Sequence, residues 1–402
     1  MIRDKLGRLS RHVVSPKETA SQKGQNDRYR KLAERFGGEL CSYPNGAFIR
    51  IINDFEDTYS HGRAMIIDLE NPAAFVRGHF YDTDRDRTFD PRNFLFFDME
   101  TTGLGGSGTV AFLIGFGSID ANGFQVRQYF LPDFPDEEAM LEAVRKEITP
   151  DSVIVSYNGR AFDMPILADR LIIQRVERNL EYADHIDLLY PTRRLFRRRL
   201  QDCTLSNVER NVLDFHREDD VPGYLVPSIY FNWLATYEME MLAKVIEHNI
   251  NDIVSLFFLM HRISEIQVKP QEKISEPDDV LSLARIMENR REHENLCKML
   301  ESFDDITWGH RRFDILYLQS LSYKRSGKFA EAVELWTRIV RNKSPEAFRA
   351  SIELAKYFEH RAKDPQTALN YALGAEENCP SISSLQSDVR KRINRLTAKI
   401  SR

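Results

Sequence analysis

The stretch PRNFLFFDMETTG, residues 91–103, decides the fold of this chain. It opens with Pro91, continues through large apolar side chains and ends at Gly103. Such a short apolar run between a proline and a glycine is typical of a buried strand. Asp98 and Glu100 stand at the end of this run, and successive strand side chains point to opposite faces. These two carboxylates therefore share one face of the predicted strand.

Further strand and helix patterns follow. Apolar runs rich in β-branched and aromatic residues predict four more strands, at residues 109–119, 124–131, 152–158 and 185–190. Helical periodicity predicts three helices, at residues 135–148, 161–176 and 238–263. Three consecutive strands, followed by alternating strands and helices, indicate an α/β fold with a mixed sheet and flanking helices.

Composition and periodicity divide the chain into five segments. They are a flexible basic arm at residues 1–30, a strand-rich segment at 31–90, the α/β domain at 91–265, a linker at 266–280 and an all-α domain at 281–402. We expect a helix to begin near Asn26, and strands at residues 46–55 and 63–70. The linker is identified by Pro270 and Pro277, which bracket charged residues.

The all-α domain contains one weak internal repeat. Ala332 and Trp336 recur as Ala368 and Ala372 after about 36 residues, close to the 34 of a tetratricopeptide repeat. Repeats of this kind bind partner proteins. Two interpretations have equal weight: a tetratricopeptide-like module that recruits a protein partner, and a helical bundle that only caps the α/β domain.

Charge and composition restrict the binding partners and the cellular location that we expect for this protein. The 402 residues include 56 basic and 61 acidic side chains, a formal net charge of −5, so any nucleic-acid partner must meet a local basic patch. The four cysteines are far apart in sequence and are expected to be reduced and structural. No apolar run approaches the roughly 20 residues that span a bilayer. With no signal-peptide pattern at the N-terminus either, we expect a cytoplasmic protein without a membrane partner.

Candidate chemistry lies in three short segments. The paired carboxylates of Asp98 and Glu100 repel each other on an apolar strand, and a divalent cation is their natural partner. Residues 156–165, SYNGRAFDMP, leave the fourth strand and enter a helix at Asp163. His248 and Asp252 lie four residues apart on one face of the long predicted helix. Taken singly, each segment also has an ordinary structural interpretation: a solvated strand end, a helix cap and a surface pair.

Together, these segments resemble the three motifs of the DEDD exonuclease superfamily, which has the ribonuclease H-like fold. D-x-E-T-T-G-L at residues 98–104 is similar to the first motif, and N-G-x-x-F-D-x-P at residues 158–165 is similar to the second. H-N-x-x-D at residues 248–252 stands in the place of the third. Its histidine occupies the spacing of the tyrosine subtype, since the histidine subtype has one more intervening residue.

The wider sequence resembles the bacterial YprB-like proteins, which pair a ribonuclease H-like domain with a tetratricopeptide-like C-terminal region. The resemblance covers most of residues 30–265 and, more loosely, residues 280–402. It includes further family patterns at residues 185–189, 193–200 and 209–223.

The resemblance implies a metal-dependent nuclease, most simply a 3′ to 5′ exonuclease that releases nucleoside 5′-monophosphates from DNA or RNA. It implies that two Mg²⁺ or Mn²⁺ ions, about 4 Å apart, are held by Asp98, Glu100, Asp163 and Asp252. His248 would orient or deprotonate the attacking water. It also implies nucleotide contacts at Thr101, Thr102, Leu104 and Asn158.

A basic run follows the fifth predicted strand. It places five arginines within seven residues without an acidic residue among them: Arg193, Arg194, Arg197, Arg198 and Arg199. A charge run is usually a solvated face. Next to a candidate nuclease site we favour contact with nucleic-acid phosphates, with Leu195 and Phe196 as an apolar anchor.

Two other functions stay open. The same metal site would serve a structure-specific endonuclease, because the motifs describe metal chemistry and not recognition of a strand end. Alternatively, the chain would be a protein-binding adaptor with a vestigial nuclease domain. The presence of all four carboxylates and of His248 argues against the adaptor, because no structural role requires charged residues at these positions.

Overall fold

The computed structural model describes residues 20–66, 77–81, 86–103, 105–106, 108–120, 123–303 and 305–401. The chain divides into two compact units. The first comprises Met1–Phe75, Thr88–Leu188 and Glu209–His261, and the second comprises Val76–Arg87, Leu189–Val208 and Arg262–Arg402. In the described ranges, no helix combines the length and the apolar character of a membrane span.

The first unit is built on one mixed sheet of seven strands. In chain order, the strands of the unit are β1 Glu39–Tyr43, β2 Gly46–Glu56, β3 Ser60–His61, β4 Ala64–Met65, β5 Phe94–Thr101, β6 Ala111–Asp120, β7 Gly123–Phe130, β8 Val153–Ser156 and β9 Asp184–Asp187. The sheet order is β1-β2-β7-β6-β5-β8-β9, and β3 pairs with β4. Neighbours from β1 to β5 are antiparallel, whereas β5, β8 and β9 are parallel.

Helices flank this sheet and make up most of the second unit. In chain order they are α1 Ala20–Arg35, α2 Glu137–Glu147, α3 Asp163–Ile173, α4 Leu189–Phe196, α5 Leu205–Val208, α6 Val226–Thr236, α7 Glu240–Val268, α8 Pro270–Lys273, α9 Pro277–Asn289, α10 His293–Glu301, α11 Arg312–Arg325, α12 Phe329–Arg341, α13 Ala347–His360, α14 Pro365–Glu377 and α15 Ser383–Ile400. The predicted mixed sheet with flanking helices and the all-helical C-terminal region are both confirmed.

Strand β5 lies inside the sheet, with packing on both of its faces. On one face, Phe97 is fully buried in a core cluster that includes residues of α2, and on the other face the Phe96 ring meets Phe257 of α7 edge-on at 5.5 Å. A strand that is covered on both faces reads as a continuous apolar run and not as an alternating one. This explains the uninterrupted sequence FLFF before Asp98.

Residues 31–90 contribute two strands to the same sheet. Strand β2 pairs with β7 along its length, and β1 pairs with β2 at the edge. Helix α1 begins at Ala20, six residues before the expected start, and buries Tyr29 and Leu32. The Tyr29 hydroxyl donates to Asp136 at 2.8 Å. Residues 20–30 of the predicted arm are therefore helical, and residues 1–19 lie outside the described part of the chain.

Several predicted element boundaries differ from the structure. Strand β9 ends at Asp187 and not at Tyr190, because Leu189 begins α4. In the predicted strand at residues 63–70, only Ala64–Met65 is a strand, and residues 67–70 lie outside the described ranges. The predicted linker at 266–280 contains helix starts at Pro270 and Pro277. Proline is favoured at the first position of a helix, since its missing N–H has no intrahelical partner there.

The C-terminal part of the second unit is a succession of helices from α9 to α15. Each helix from α11 to α15 packs against the next one. The paired positions of the weak repeat are all buried: Ala332 and Trp336 in α12, and Ala368 and Ala372 in α14. The repeated residues of the sequence therefore occupy equivalent core positions in α12 and α14. Its tetratricopeptide identity and its protein partner stay predictions.

Candidate active site

The site begins at the end of β5. Phe96, Asp98 and Glu100 alternate along one face of the strand, and this is the face that α7 covers. The pairing of β5 with β6 shifts register between Glu100 and Thr101. Such an irregularity bends the strand and ends the regular pairing beside a site. The two carboxylates therefore lie where the sheet opens into the loop that follows Thr101.

Helix α7 approaches the sheet closely because a glycine lies beneath it. Gly115 of β6 is the pairing partner of Asp98. A Cβ atom added at Gly115 would lie 2.3 Å from Ile253 Cδ1 and 2.4 Å from Asn249 Oδ1. The fully buried Asn249 instead fills this space, and its Nδ2 donates to Asp98 Oδ2 at 2.7 Å. The glycine thus allows α7 to bring its polar residues to β5.

Three predicted site residues meet at this point. Ligand atoms of Glu100, His248 and Asp252 all lie within 4.8 Å of one another. His248 Nε2 is 3.9 Å from Glu100 Oε1 and 3.7 Å from Asp252 Oδ2. The three side chains are 14 to 17% exposed, so they are half-buried but reachable from solvent. The i, i+4 spacing on α7 places its two residues side by side.

Asp163 lies in the first turn of α3, and its charge acts on Asp98 and Glu100. The preceding turn is held by Asp187, a fully buried carboxylate that accepts N–H groups from Asn158 at 2.8 Å and from Arg160 at 3.3 Å. A Cβ atom added at Gly159 would lie 2.6 Å from Ser156 Oγ and 3.0 Å from Asp163 Oδ2. Glycine is therefore needed at this turn. Asp187 therefore has a structural role in this turn.

The carboxylates raise one another's pKa. Burial raises the pKa of Asp98 well above its usual value, and the charges of Asp252 and Glu100 raise it further. Burial raises the pKa of Glu100 to about 7, against the opposing effect of His248. Burial, together with the charge of Asp187, raises the pKa of Asp163 to about 7. The four acids thus form one electrostatically coupled group.

Such a group suits a hard divalent cation. The donors are carboxylate oxygens with one imidazole beside them, which is the donor chemistry of Mg²⁺ and Mn²⁺ sites. Buried carboxylates with raised pKa values are only partly compensated by the protein alone, and a cation would relieve their mutual repulsion. The residues present therefore fit the metal that the sequence predicts.

The pKa of His248 is raised above its ordinary value. Burial lowers it, but the nearby charges of Asp252 and Glu100 raise it by more. On the side away from these acids, His248 Nδ1 lies 2.7 Å from Asp220 Oδ1. The imidazole is therefore held between carboxylates on both of its nitrogen atoms.

Sequence reasoning missed a second group of charged residues at the site. Arg217 donates to Asp252 and to the buried Glu209, and its Nη1 lies 3.3 Å from Asp220 Oδ2. Residues 209–223 were recognised only as part of a family pattern. The sequence signal was present in that pattern, but nothing in its spacing assigns the residues to the site.

The predicted nucleotide-contacting residues after β5 shape a loop. Thr101 Oγ1 donates to the carbonyl of Gly103 at 2.6 Å, and Thr102 Oγ1 accepts from the amide of Val110 at 3.0 Å. Leu104 lies outside the described residues. Beside this loop is an open cleft of about 250 Å³, lined in part by Thr109 and by the half-exposed ring of Phe162.

The five arginines of the basic run lie in the second unit. Helix α4 buries Leu195 and Phe196, which confirms the apolar anchor. Arg193, Arg194, Arg197 and Arg198 are exposed, whereas Arg199 is half-buried and pairs with Asp279 at 3.0 Å. Arg199 therefore has a structural partner within its own unit, and phosphate contact by the run stays a prediction.

Comparison with known proteins agrees with the fold. Residues 95–264 match the family model of the RNase H superfamily. The α/β domain is therefore an RNase H superfamily domain, and membership of this superfamily supports a nuclease function. The chain is 33% identical over 323 residues to "Uncharacterized protein YprB" of Bacillus subtilis (strain 168). The aligned region covers 78% of this chain and 76% of the relative. The chain belongs to the YprB family, and the resemblance found in the sequence is confirmed.

A solved structure also shows limited similarity. The family B DNA polymerase from the hyperthermophilic archaeon Pyrobaculum calidifontis is 16% identical, with a TM-score of 0.34. The similarity covers 59% of this chain and 29% of the polymerase chain.

Proposed function

We propose that this protein is a metal-dependent nuclease that shortens nucleic-acid strands from the 3′ end. One observation carries the proposal: Glu100, His248 and Asp252 converge within 4.8 Å in an RNase H superfamily domain, and Asp98 and Asp163 are electrostatically coupled to them. An acidic cluster with one histidine is suited to hydrolysis of a phosphodiester bond.

Asp98, Glu100, Asp163 and Asp252 would hold two Mg²⁺ or Mn²⁺ ions. Ions bound there would lower the pKa of the attacking water and stabilise the charge that develops on the leaving 3′ oxygen. The four carboxylates themselves repel a phosphodiester, so the protein without metal would exclude its own substrate. Asn249 holds Asp98 by one oxygen and leaves the other oxygen for a ligand role.

His248 would handle the proton of the attacking water at Nε2. This nitrogen faces Glu100 and Asp252, while Nδ1 faces Asp220. A general base needs a free acceptor nitrogen within reach of water at the reacting position. The cleft lined by Thr109 and Phe162 offers room for the terminal nucleotide, with the Phe162 ring available to stack on a base.

The test compares the wild-type protein with Asp98→Asn on 5′-labelled single-stranded and duplex DNA and RNA. Each reaction is run with Mg²⁺, Mn²⁺ or EDTA, and the products are resolved by length. We expect a metal-dependent ladder that shortens from the 3′ end and is absent in Asp98→Asn. A matched control, Glu142→Gln, removes an exposed carboxylate on α2 and should be fully active.

Other product patterns would overturn the proposal in different ways. Discrete internal cuts that require metal and Asp98 would identify a structure-specific endonuclease on the same site. Absence of metal-dependent product on every substrate would favour the adaptor, whose function would then reside in the helical region.

A further inference from the structure

A chain of buried charges connects the interior of the first unit to the candidate base and to Asp252. Its central residue is Arg217, whose side chain is only 7% exposed. Arg217 donates to Asp252 Oδ1, while Asp252 Oδ2 faces His248 Nε2 at 3.7 Å. The guanidinium thus occupies one oxygen of Asp252 and leaves the other one directed into the site.

Asp220 determines which nitrogen of His248 carries hydrogen. A carboxylate only accepts, so the 2.7 Å contact between Asp220 Oδ1 and His248 Nδ1 requires an N–H at Nδ1. Arg217 Nη1 is 3.2 Å from the same nitrogen, but a guanidinium only donates. Both contacts cannot be hydrogen bonds to Nδ1, and the shorter one is with Asp220. Nε2 is then the free acceptor, on the side of Glu100 and Asp252.

Arg217 is itself fixed from the interior. Glu209, 1% exposed, accepts from Arg217 Nε at 2.8 Å and also from Nη2. Ser255 donates its hydroxyl to Glu209, so the 2.8 Å contact between Ser255 Oγ and His61 Nε2 has the histidine as donor. A two-point pair between guanidinium and carboxylate fixes orientation as well as charge.

His61 is the last residue in this series of contacts, and its imidazole is neutral. Burial, together with the charge of Arg217, lowers the pKa of His61 to about 3. Its ring stacks on Phe215 at 3.7 Å and on Phe258 at 5.2 Å between centroids. The hairpin of β3 and β4 thereby supports the segment that carries Arg217. This gives a structural role to part of residues 31–90.

We propose that Asp220 and Arg217 are positioning residues of the active site: Asp220 keeps His248 in the Nδ1–H form, and Arg217 orients the Asp252 carboxylate. The expected effect on hydrolysis rests on the proposed nuclease function. The hydrogen position on the His248 ring can be measured without any enzymatic activity. Groups that orient a base or a metal ligand from behind commonly affect activity by 10- to 100-fold.

The first experiment is spectroscopic. The full-length protein is labelled with ¹⁵N-histidine, and the His248 ring signals are assigned by their loss in His248→Ala. Without metal, at a pH where His248 is neutral, we expect the Nδ1–H form in the wild-type protein. In Asp220→Ala, Arg217 is left as the nearest partner of Nδ1 and can only donate to it. We therefore expect the ring to switch to the Nε2–H form.

Two controls accompany this measurement. Glu218→Ala removes an exposed carboxylate two residues from Asp220 and should leave the ring in the Nδ1–H form. Thermal unfolding of each variant establishes that it is folded. An Nε2–H ring in the wild-type protein, or no change in folded Asp220→Ala, would overturn the proposal.

The second experiment is a double-mutant cycle on hydrolysis. Asp220→Ala should lower kcat by 10- to 100-fold with little change in KM. In a His248→Ala background it should cause no further loss, because Asp220 would act through that imidazole. Equal losses in both backgrounds would show a merely structural role and contradict the proposal.

The two experiments separate this inference from the proposed function. A wild-type protein that hydrolyses no substrate, but shows the Nδ1–H ring and its switch in Asp220→Ala, would refute the nuclease and leave the positioning geometry intact. A nuclease with an Nε2–H ring would refute the positioning roles alone.

Discussion

Asp98 of β5 faces Gly115 of β6 across the antiparallel pair, and the space above Gly115 is filled by Asn249, which donates to Asp98. The absence of one side chain therefore determines how closely α7 lies on the sheet. Since α7 carries both His248 and Asp252, the distance of this helix from β5 decides whether the acidic group assembles.

Substitution of Gly115 by alanine should disrupt the site more than the fold. The added Cβ would overlap Ile253 and Asn249, and such overpacking costs about 1–3 kcal/mol. We expect a lower midpoint of thermal unfolding and weaker binding of Mn²⁺, measured by electron paramagnetic resonance. Gly374→Ala is the matched control, because nothing lies within 4 Å of the added atom. Unchanged Mn²⁺ affinity in Gly115→Ala would contradict this role of the glycine.

Metal should stabilise the protein more at high pH than at low pH. Burial raises the pKa of Glu100 and of Asp163 to about 7, above the roughly 4 of an exposed carboxyl group. Raised carboxyl pKa values mean that stability of the metal-free protein is lost as the pH rises from about 4 through 7. Mg²⁺ binds the deprotonated acids.

We therefore expect the gain in unfolding temperature on adding Mg²⁺ to be larger at pH 8 than at pH 5.5. Differential scanning fluorimetry at both pH values measures this gain. Asp98→Ala should reduce it at pH 8. An equal gain at the two pH values, or an undiminished gain in Asp98→Ala, would show that the metal acts elsewhere.

Arg217→Lys should weaken both stability and hydrolysis although it keeps the charge. An ammonium lacks the planar fork that contacts Glu209 and Asp252 together, so one buried carboxylate loses a hydrogen bond. We expect a loss of about 1–3 kcal/mol in the free energy of unfolding, measured by urea titration, and a lower kcat. Arg63→Lys is the control, since Arg63 is 83% exposed in its pair with Asp214. Equal effects of the two substitutions would count against a special role of Arg217.

Part of the candidate site can be predicted from short segments of the sequence. Asp98 and Glu100 share a face because strand side chains alternate, and His248 and Asp252 share a face because a helix repeats every 3.6 residues. The covered strand was recognisable from its continuous apolar run. These relationships depend only on neighbouring residues, and the structure confirms the arrangement of the elements that carry them.

The remaining part of the site depends on long-range packing. Glu218, Asp219 and Asp220 are chemically similar in sequence, and only the path of this segment beside α7 selects Asp220 as the partner of His248. Arg217 meets Glu209 and Asp252 through the fold and not through any periodic spacing. Likewise, Pro277 indicated a linker, but it begins a helix, because proline at a first helical position and proline in a loop give the same sequence signal.

The basic run should contribute to nucleic-acid binding through charge. Alanine at both Arg193 and Arg197, which are exposed on the second unit, should reduce the slope of log affinity against log salt by about 1.4 to 1.8 if each contacts one phosphate. Fluorescence anisotropy with a labelled strand across a salt series measures the slope. Removal of two other exposed charges, Arg390 and Lys391 on α15, is the control. Equal slopes for the wild-type protein and the Arg193, Arg197 variant would refute phosphate contact.

The most direct test of the central claim is the identity of the first product released. A uniformly labelled strand is incubated with the wild-type protein and Mg²⁺, and the soluble products of the first few per cent of turnover are separated by chromatography. The account predicts nucleoside 5′-monophosphates from the earliest time point, none with EDTA and none from Asp98→Asn. Oligonucleotides as the first product, or mononucleotides released equally by Asp98→Asn, would contradict it.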